Sequence, residues 1–153
     1  MRVLIVDDEA GIREVLKRWL ELGGFDTVEA KDSSAAMQLL GSSMPIDVVL
    51  ADLEMPGQGG LWLVEQVRAQ YPAIPIVLAT ADSQVPGSVS LQPGVVGYLV
   101  KPFTAASIHA AMATAAAWLA AQQPTTPSPA IDPVEDWLNR AKGLRADKPK
   151  RTF

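Results

Sequence analysis

Short apolar runs alternate along the chain with stretches whose apolar residues recur every three or four positions. Residues 3–6 are a continuous run, Val-Leu-Ile-Val, which reads as a buried strand. Ile12, Val15, Leu16, Trp19 and Leu20 then fall on one face of a helix, which Gly23 and Gly24 stop. A second strand over 25–30 leads to Asp32, Ser33 and Ser34, a natural N-cap for a helix over 35–40. Residues 46–51 predict the third strand, which ends on Asp52. After the loop 55–60, the stripe Leu61, Val64, Val67 and Arg68, with Trp62 and Leu63, predicts a third helix. Residues 74–79 form a fourth strand ending on Thr80, and residues 95–100 a fifth ending on Lys101. Thr104 caps a long Ala-rich helix over 105–122. Strands alternating with helices at this spacing imply an α/β fold whose sheet is parallel and covered by helices.

Two regions break the pattern. Residues 81–97 hold Pro86, Gly87, Pro93, Gly94 and Gly97 without a sustained 3.6-residue stripe, so a short or distorted fourth helix, or mostly loop, is expected there. From 123 to 131 the chain becomes rich in Pro, Thr and Ser, an extended linker. In residues 132–153, Asp132 and Glu135 form a capping pattern with Pro133 at the first helical position. Val134, Trp137, Leu138 and Ala141 then make a short amphipathic helix ahead of a basic end. The expected organisation is one α/β domain over 1–122, a Pro-rich linker over 123–131 and a helix with a basic tail over 132–153.

Composition narrows the chemistry. The 153 residues include no cysteine and one histidine, His109, which argues against disulfides, thiolate nucleophiles, Cys-ligated metals and a Ser/His/Asp triad. His109 reads as a surface residue, and Trp19 and Trp62 as packing residues. Residues 1–123 carry 7 Lys and Arg against 13 Asp and Glu, net −6, while residues 124–153 carry 6 against 4, net +2. The N-terminal apolar run ends at once in Asp7-Asp8-Glu9, and no apolar stretch reaches the ~18 residues of a membrane span. A soluble, cytoplasmic protein with no membrane partner is the resulting expectation.

In an open parallel sheet, ligands bind where the carboxyl ends of the strands converge. The predicted strands end there on Asp7 and Asp8, Asp52, Thr80 and Lys101. Three packed carboxylates repel one another unless a cation joins them, so the set invites a hard divalent ion such as Mg²⁺. Lys101 supplies a point charge suited to a phosphoryl oxygen, and Thr80 a hydroxyl donor. A carboxylate can itself accept a phosphoryl group.

Four stretches in this order resemble the receiver domains of two-component response regulators: Val-Leu-Ile-Val-Asp7-Asp8-Glu, Val-Val-Leu-Ala-Asp52-Leu-Glu-Met-Pro-Gly, Val-Leu-Ala-Thr80-Ala and Gly-Tyr98-Leu-Val-Lys101-Pro102-Phe. They cover residues 1 to about 122, with 28 residues from Asp52 to Thr80 and 21 from Thr80 to Lys101. The resemblance implies a doubly wound, five-stranded, flavodoxin-like fold. It implies Asp52 as phosphoacceptor from a sensor histidine kinase or phosphotransfer protein, and Mg²⁺ held by Asp7, Asp8, Asp52 and the carbonyl of Glu54. Lys101 would pair with the phosphoryl group through a loop whose Lys-Pro bond is cis, while Thr80 and Tyr98 would act as switch residues. Such a domain catalyses only its own phosphorylation and its hydrolytic reset, and is otherwise no enzyme.

Two departures from the family pattern bear on output and lifetime. The irregular 81–97 stretch replaces a helix of the family's signalling face. Glu54 and Asp82, two residues after Asp52 and Thr80, put acids where water reaches the phosphoryl group, so phosphoryl lifetime should respond to their removal. The tail after 122 is too short for a DNA-binding module with its own core, which argues against nucleic-acid binding. The favoured reading is a stand-alone receiver that signals by phosphorylation-dependent contact with a protein partner, with the Ala-rich helix offering a surface for homodimerisation. The alternatives are an unphosphorylated receiver-like scaffold and an N-terminal fragment of a larger regulator with an effector domain. A phosphohydrolase using an aspartyl phosphate would call for an Asp where this chain has Glu54.

Overall fold

The structure, a computed structural model, describes residues 1–81 and 93–122. Five strands, β1 (Arg2–Val6), β2 (Asp26–Ala30), β3 (Val48–Asp52), β4 (Ile76–Thr80) and β5 (Val95–Val100), form one sheet in the order β2-β1-β3-β4-β5. Every neighbouring pair is parallel. The helices among the described residues are α1 (Ala10–Leu22), α2 (Ser33–Leu40), α3 (Gly60–Gln70) and α4 (Ala105–Gln122). The chain divides into two units, Met1–Gln122 and Gln123–Phe153, and the sheet and helices belong to the first. The expected linker, amphipathic helix and basic tail after 122 lie outside the described residues, as does the stretch 82–92 where an irregular fourth helix was expected.

The apolar runs of β1, β3 and β4 lack the alternation of a half-exposed strand because helices cover both faces of the sheet. Successive side chains point to opposite faces. Leu4, Val6, Val49, Ala51, Ile76 and Leu78 pack with Ala36 and Leu40 of α2 and Leu63, Val64 and Val67 of α3. Val3, Ile5, Val48, Leu50, Val77, Ala79 and Leu99 pack instead with Leu16 and Leu20 of α1 and with Ile108, Ala111, Met112 and Ala115 of α4. The doubly wound architecture follows from that division.

Local signals set most element ends. Asp32 caps α2, its carboxylate accepting from Ala35 N at 2.7 Å, a bond worth about 1 kcal/mol. Before α4, Thr104 Oγ1 accepts from Ser107 N and Ser107 Oγ from Thr104 N, both at 3.0 Å, a reciprocal cap. Two expected core positions are not core. Val15 is 45% exposed and Leu61 44% exposed. On α1 the pair Leu16 and Leu20 takes the core, and Val15, roughly 100° around the helix, falls on its rim. On α3 the buried stripe is Leu63, Val64 and Val67 behind Gly60, so Leu61 and Arg68 face outward. The third and fourth strands each begin two residues later than read from the sequence, at Val48 and Ile76.

Among the described residues, no helix is long and apolar enough to cross a membrane. The register pairs Val6 with Ala30 and Ala51, Asp52 with Ala79, and Thr80 with Val100, so the strand ends lie along one edge of the sheet.

Candidate functional site

At that edge, Asp7 directly follows β1, and its N–H donates to Ala30 O at 3.2 Å, which carries the ladder one residue past the strand. Asp7 Oδ1 accepts from Glu9 N at 2.9 Å, and Asp52 Oδ1 likewise accepts from Glu54 N at 3.1 Å. Aspartate readily closes such turns onto its own backbone. The second oxygen of each carboxylate faces Lys101, whose Nζ lies 3.2 Å from Asp52 Oδ2 and 3.5 Å from Asp7 Oδ2. Lys101 reaches this position because its N–H donates to Thr80 O at 2.8 Å, one step beyond the β4–β5 pairing. The Lys101–Pro102 peptide bond is cis.

Asp7 is 1% and Asp52 4% exposed. Burial raises the Asp7 pKa above the ordinary carboxylate value; the Glu9 N–H and the Lys101 ammonium oppose that shift, and repulsion from Asp52 adds to it. Burial works against the Lys101 ammonium too, but the attraction of Asp52 and Asp7 and its hydrogen bonds to both outweigh it, so Lys101 holds its proton more tightly than an ordinary lysine. One ammonium thus faces two buried carboxylates, and the exposed Asp8 adds a third. Oxygens of Asp7, Asp8 and Asp52 all lie within 4.8 Å of one another. Hard oxygen donors with a deficit of positive charge fit a divalent cation such as Mg²⁺.

Thr80 is buried at the end of β4, and its hydroxyl stands 3.5 Å from Glu54 Oε1. Tyr98, on β5, packs against the α2/α3 side of the core with its hydroxyl buried, and that hydroxyl meets no partner among the described residues. Burial raises its pKa. The structure therefore brings Asp7, Asp8, Asp52, Glu54, Thr80 and Lys101 to one edge, while Tyr98 stands on the strand that leads to Lys101.

Three further residues shape the site without having been singled out for it in the sequence. Arg13 Nη1 donates to Asp7 O at 2.6 Å, and its Nε lies 3.6 Å from Glu29 Oε1. Gly60 opens α3 so close to the third strand that a Cβ would lie 2.6 Å from Asp52 O and 2.8 Å from Leu53 Cα. Ser33 donates its hydroxyl to Gln58 O at 2.7 Å, in the loop after Asp52. The Met55-Pro56-Gly57-Gln58-Gly59-Gly60 run was the only sequence signal for a tight approach there.

Residues 3–113 match the response regulator receiver domain. The chain belongs to that family. The receiver is 38% identical over 102 residues to the DNA-binding transcriptional regulator NtrC of Escherichia coli K12, which covers 66% of this chain and 22% of that protein. It is 38% identical over 112 residues to the chemotaxis protein CheY-3 of Vibrio cholerae, covering 71% of this chain and 85% of that one. The response regulator protein TrrA of Thermotoga maritima, solved in complex with Mg(2+)-BeF, superposes with a TM-score of 0.67 at 32% identity over 74% of this chain and 97% of its own. The chain thus spans less than a third of the length of the NtrC relatives it matches. It is a receiver domain of two-component phosphorelay signalling, and such domains bind Mg²⁺ at an acidic pocket of the kind formed here.

Proposed function

We propose that Asp52 is the phosphoacceptor of this receiver. What carries the reading is the paired arrangement of Asp52 and Asp7 around Lys101, with three carboxylates in reach of one cation. The Asp52 carboxylate attacks the phosphorus of a phosphohistidine on a sensor kinase or phosphotransfer protein. A P–O bond forms, the P–N bond breaks, and the leaving imidazole takes up a proton. Asp7, Asp8, Asp52 and the Glu54 carbonyl would hold Mg²⁺, which when bound offsets the charge gathered on the transferring group. Lys101, already held as an ammonium, neutralises a phosphoryl oxygen, and the Thr80 hydroxyl donates to another. Reset follows when water attacks the phosphorus and the bond to Asp52 breaks, releasing inorganic phosphate. These self-reactions complete its chemistry, since positioning and charge neutralisation act only on the bound phosphoryl group.

Tyr98 follows Thr80 inward, its hydroxyl being held by no partner among the described residues. Output is a phosphorylation-dependent contact with another protein in a reducing cytoplasm. The exposed alanines 106, 110, 113 and 117 of α4 provide a close-packing face for a second copy. The domain boundaries follow the same reading, with the receiver over 1–122 preceding the linker over 123–131 and the helix and tail over 132–153.

The test is intact-mass analysis after incubation with Mg²⁺ and acetyl phosphate. The parent gains one phosphoryl group and Asp52→Asn gains none. A parent whose mass is unchanged with and without Mg²⁺ would instead be the unphosphorylated scaffold.

A further inference from the structure

The segment joining β3 to α3 begins at Leu53 and ends at Gly59, and it carries Glu54. Its first residue is fixed from the sheet, since Leu53 N donates to Ala79 O at 2.8 Å. Its far end is held by the Gly60 N–H, which donates to Leu53 O at 3.3 Å, and by a side chain from another part of the fold. Ser33, the first residue of α2 and 1% exposed, donates its hydroxyl to Gln58 O at 2.7 Å and lies 3.4 Å from Gly59 O. That hydroxyl is not needed for helix capping, because Asp32 already caps α2 through Ala35 N. Between the two anchors the backbone passes Gly57 at φ +77°, a conformation few side chains allow, before Gly60, where a Cβ would lie 2.6 Å from Asp52 O. Glycines at 57, 59 and 60 give this short path wide conformational freedom, so it keeps one shape only if something holds both ends.

We propose that Ser33 is a positioning residue for the phosphoryl site. Its buried hydroxyl clamps the loop after Asp52, which keeps the Glu54 backbone aligned with the Asp7, Asp8 and Asp52 carboxylates. Outer groups that orient ligands matter nearly as much as the ligands themselves. The proposal rests on the reading of Asp52 as phosphoacceptor.

The full chain is compared with Ser33→Ala, with Ser34→Ala and with Leu40→Val. Ser34 is exposed and donates its hydroxyl to the Gln58 side chain at 3.3 Å, so it tests the same loop residue without the clamp. Leu40 lies in the core at the other end of α2 and controls for lost stability. Mg²⁺ affinity is read by calorimetry, phosphoryl uptake from acetyl phosphate by intact mass, and loop order by amide exchange over residues 53–59. Ser33→Ala weakens Mg²⁺ binding and slows uptake by roughly tenfold and speeds exchange in the loop, while both controls match the parent in all three. Parental Mg²⁺ affinity and uptake in Ser33→Ala, whatever its melting temperature, overturns the proposal, as does an equal loss in Leu40→Val. A parent that takes up no phosphoryl group overturns the Asp52 reading and this proposal together. Parental uptake unaffected by Ser33→Ala overturns this one alone.

Discussion

Asp7 and Asp52 use their carboxylates in the same way: each accepts on Oδ1 from the amide N–H two residues ahead and turns Oδ2 toward the ammonium of Lys101. Two buried anions therefore depend on one cation. Lys101→Met leaves them facing each other without it, and removing one member of a buried pair costs about 3 kcal/mol or more, less here because the Lys101 side chain is 22% exposed. Urea denaturation in EDTA is expected to show a loss of ~1–3 kcal/mol. Millimolar Mg²⁺ should recover more stability in the variant than in the parent. An unchanged midpoint in EDTA would contradict this charge balance.

Asp7→Asn should do the opposite in the absence of metal. The Asp7 carboxyl titrates above its ordinary range because burial favours the neutral form. The fold is therefore stabilised by protonated Asp7 below the unfolded-state pKa, and that contribution is lost as pH rises through the folded value. An asparagine, neutral throughout, keeps it. In EDTA the variant should melt with the parent at strongly acidic pH and above it near neutrality, while its Mg²⁺ affinity falls. Equal melting temperatures across the whole range would contradict the sign of the shift.

Two glycines predict opposite responses to the same substitution. At Gly60 a Cβ would sit 2.6 Å from Asp52 O, against backbone that cannot swing aside. Gly60→Ala should cost ~1–3 kcal/mol and weaken Mg²⁺ binding. At Gly11, in the first turn of α1, an added Cβ would meet nothing within 4 Å, and Gly11→Ala should add about 0.4–1 kcal/mol. Chemical denaturation of both variants checks the pair, and equal signs would refute it.

Glu54 extends an exposed carboxylate to 3.5 Å from the Thr80 hydroxyl, beside the place where a phosphoryl group on Asp52 would sit. A like charge at such range costs on the order of 1 kcal/mol in water. Glu54→Ala should speed uptake from acetyl phosphate by roughly fivefold at low salt, an advantage that shrinks as salt rises. Stopped-flow fluorescence or timed mass analysis would show it, and a rate independent of both the substitution and salt would count against the placement.

The sheet and its site were largely legible because β1, β3, β4 and β5 are mainly apolar runs, each followed or ended by a chemically distinct residue, and a parallel sheet gathers those stops at one edge. Asp7, Asp52, Thr80 and Lys101 follow from the sequence as neighbours at that edge. Periodicity said less about which side of a helix meets the core. Val15 and Leu61 satisfy an apolar spacing yet lie on the rims, since leucines at 16, 20 and 63 fill the available space. Ser33 and Arg13 were opaque for another reason. Their bonds to Gln58 O and Asp7 O join backbone carbonyls across loops, and a carbonyl leaves no trace in residue identity.

The sheet also separates two apolar clusters that have no member in common among the described residues. Leu16 and Ile108 lie beneath one face, Leu63 and Val67 beneath the other, and the strands contribute alternate side chains to each. Truncations on opposite faces should therefore be nearly additive, within about 0.5 kcal/mol, whereas truncations on one face should couple. A lineage of such receivers can consequently remodel the helices on one side to suit a new partner while the layer behind the other side, and the acidic edge both layers support, keeps its packing.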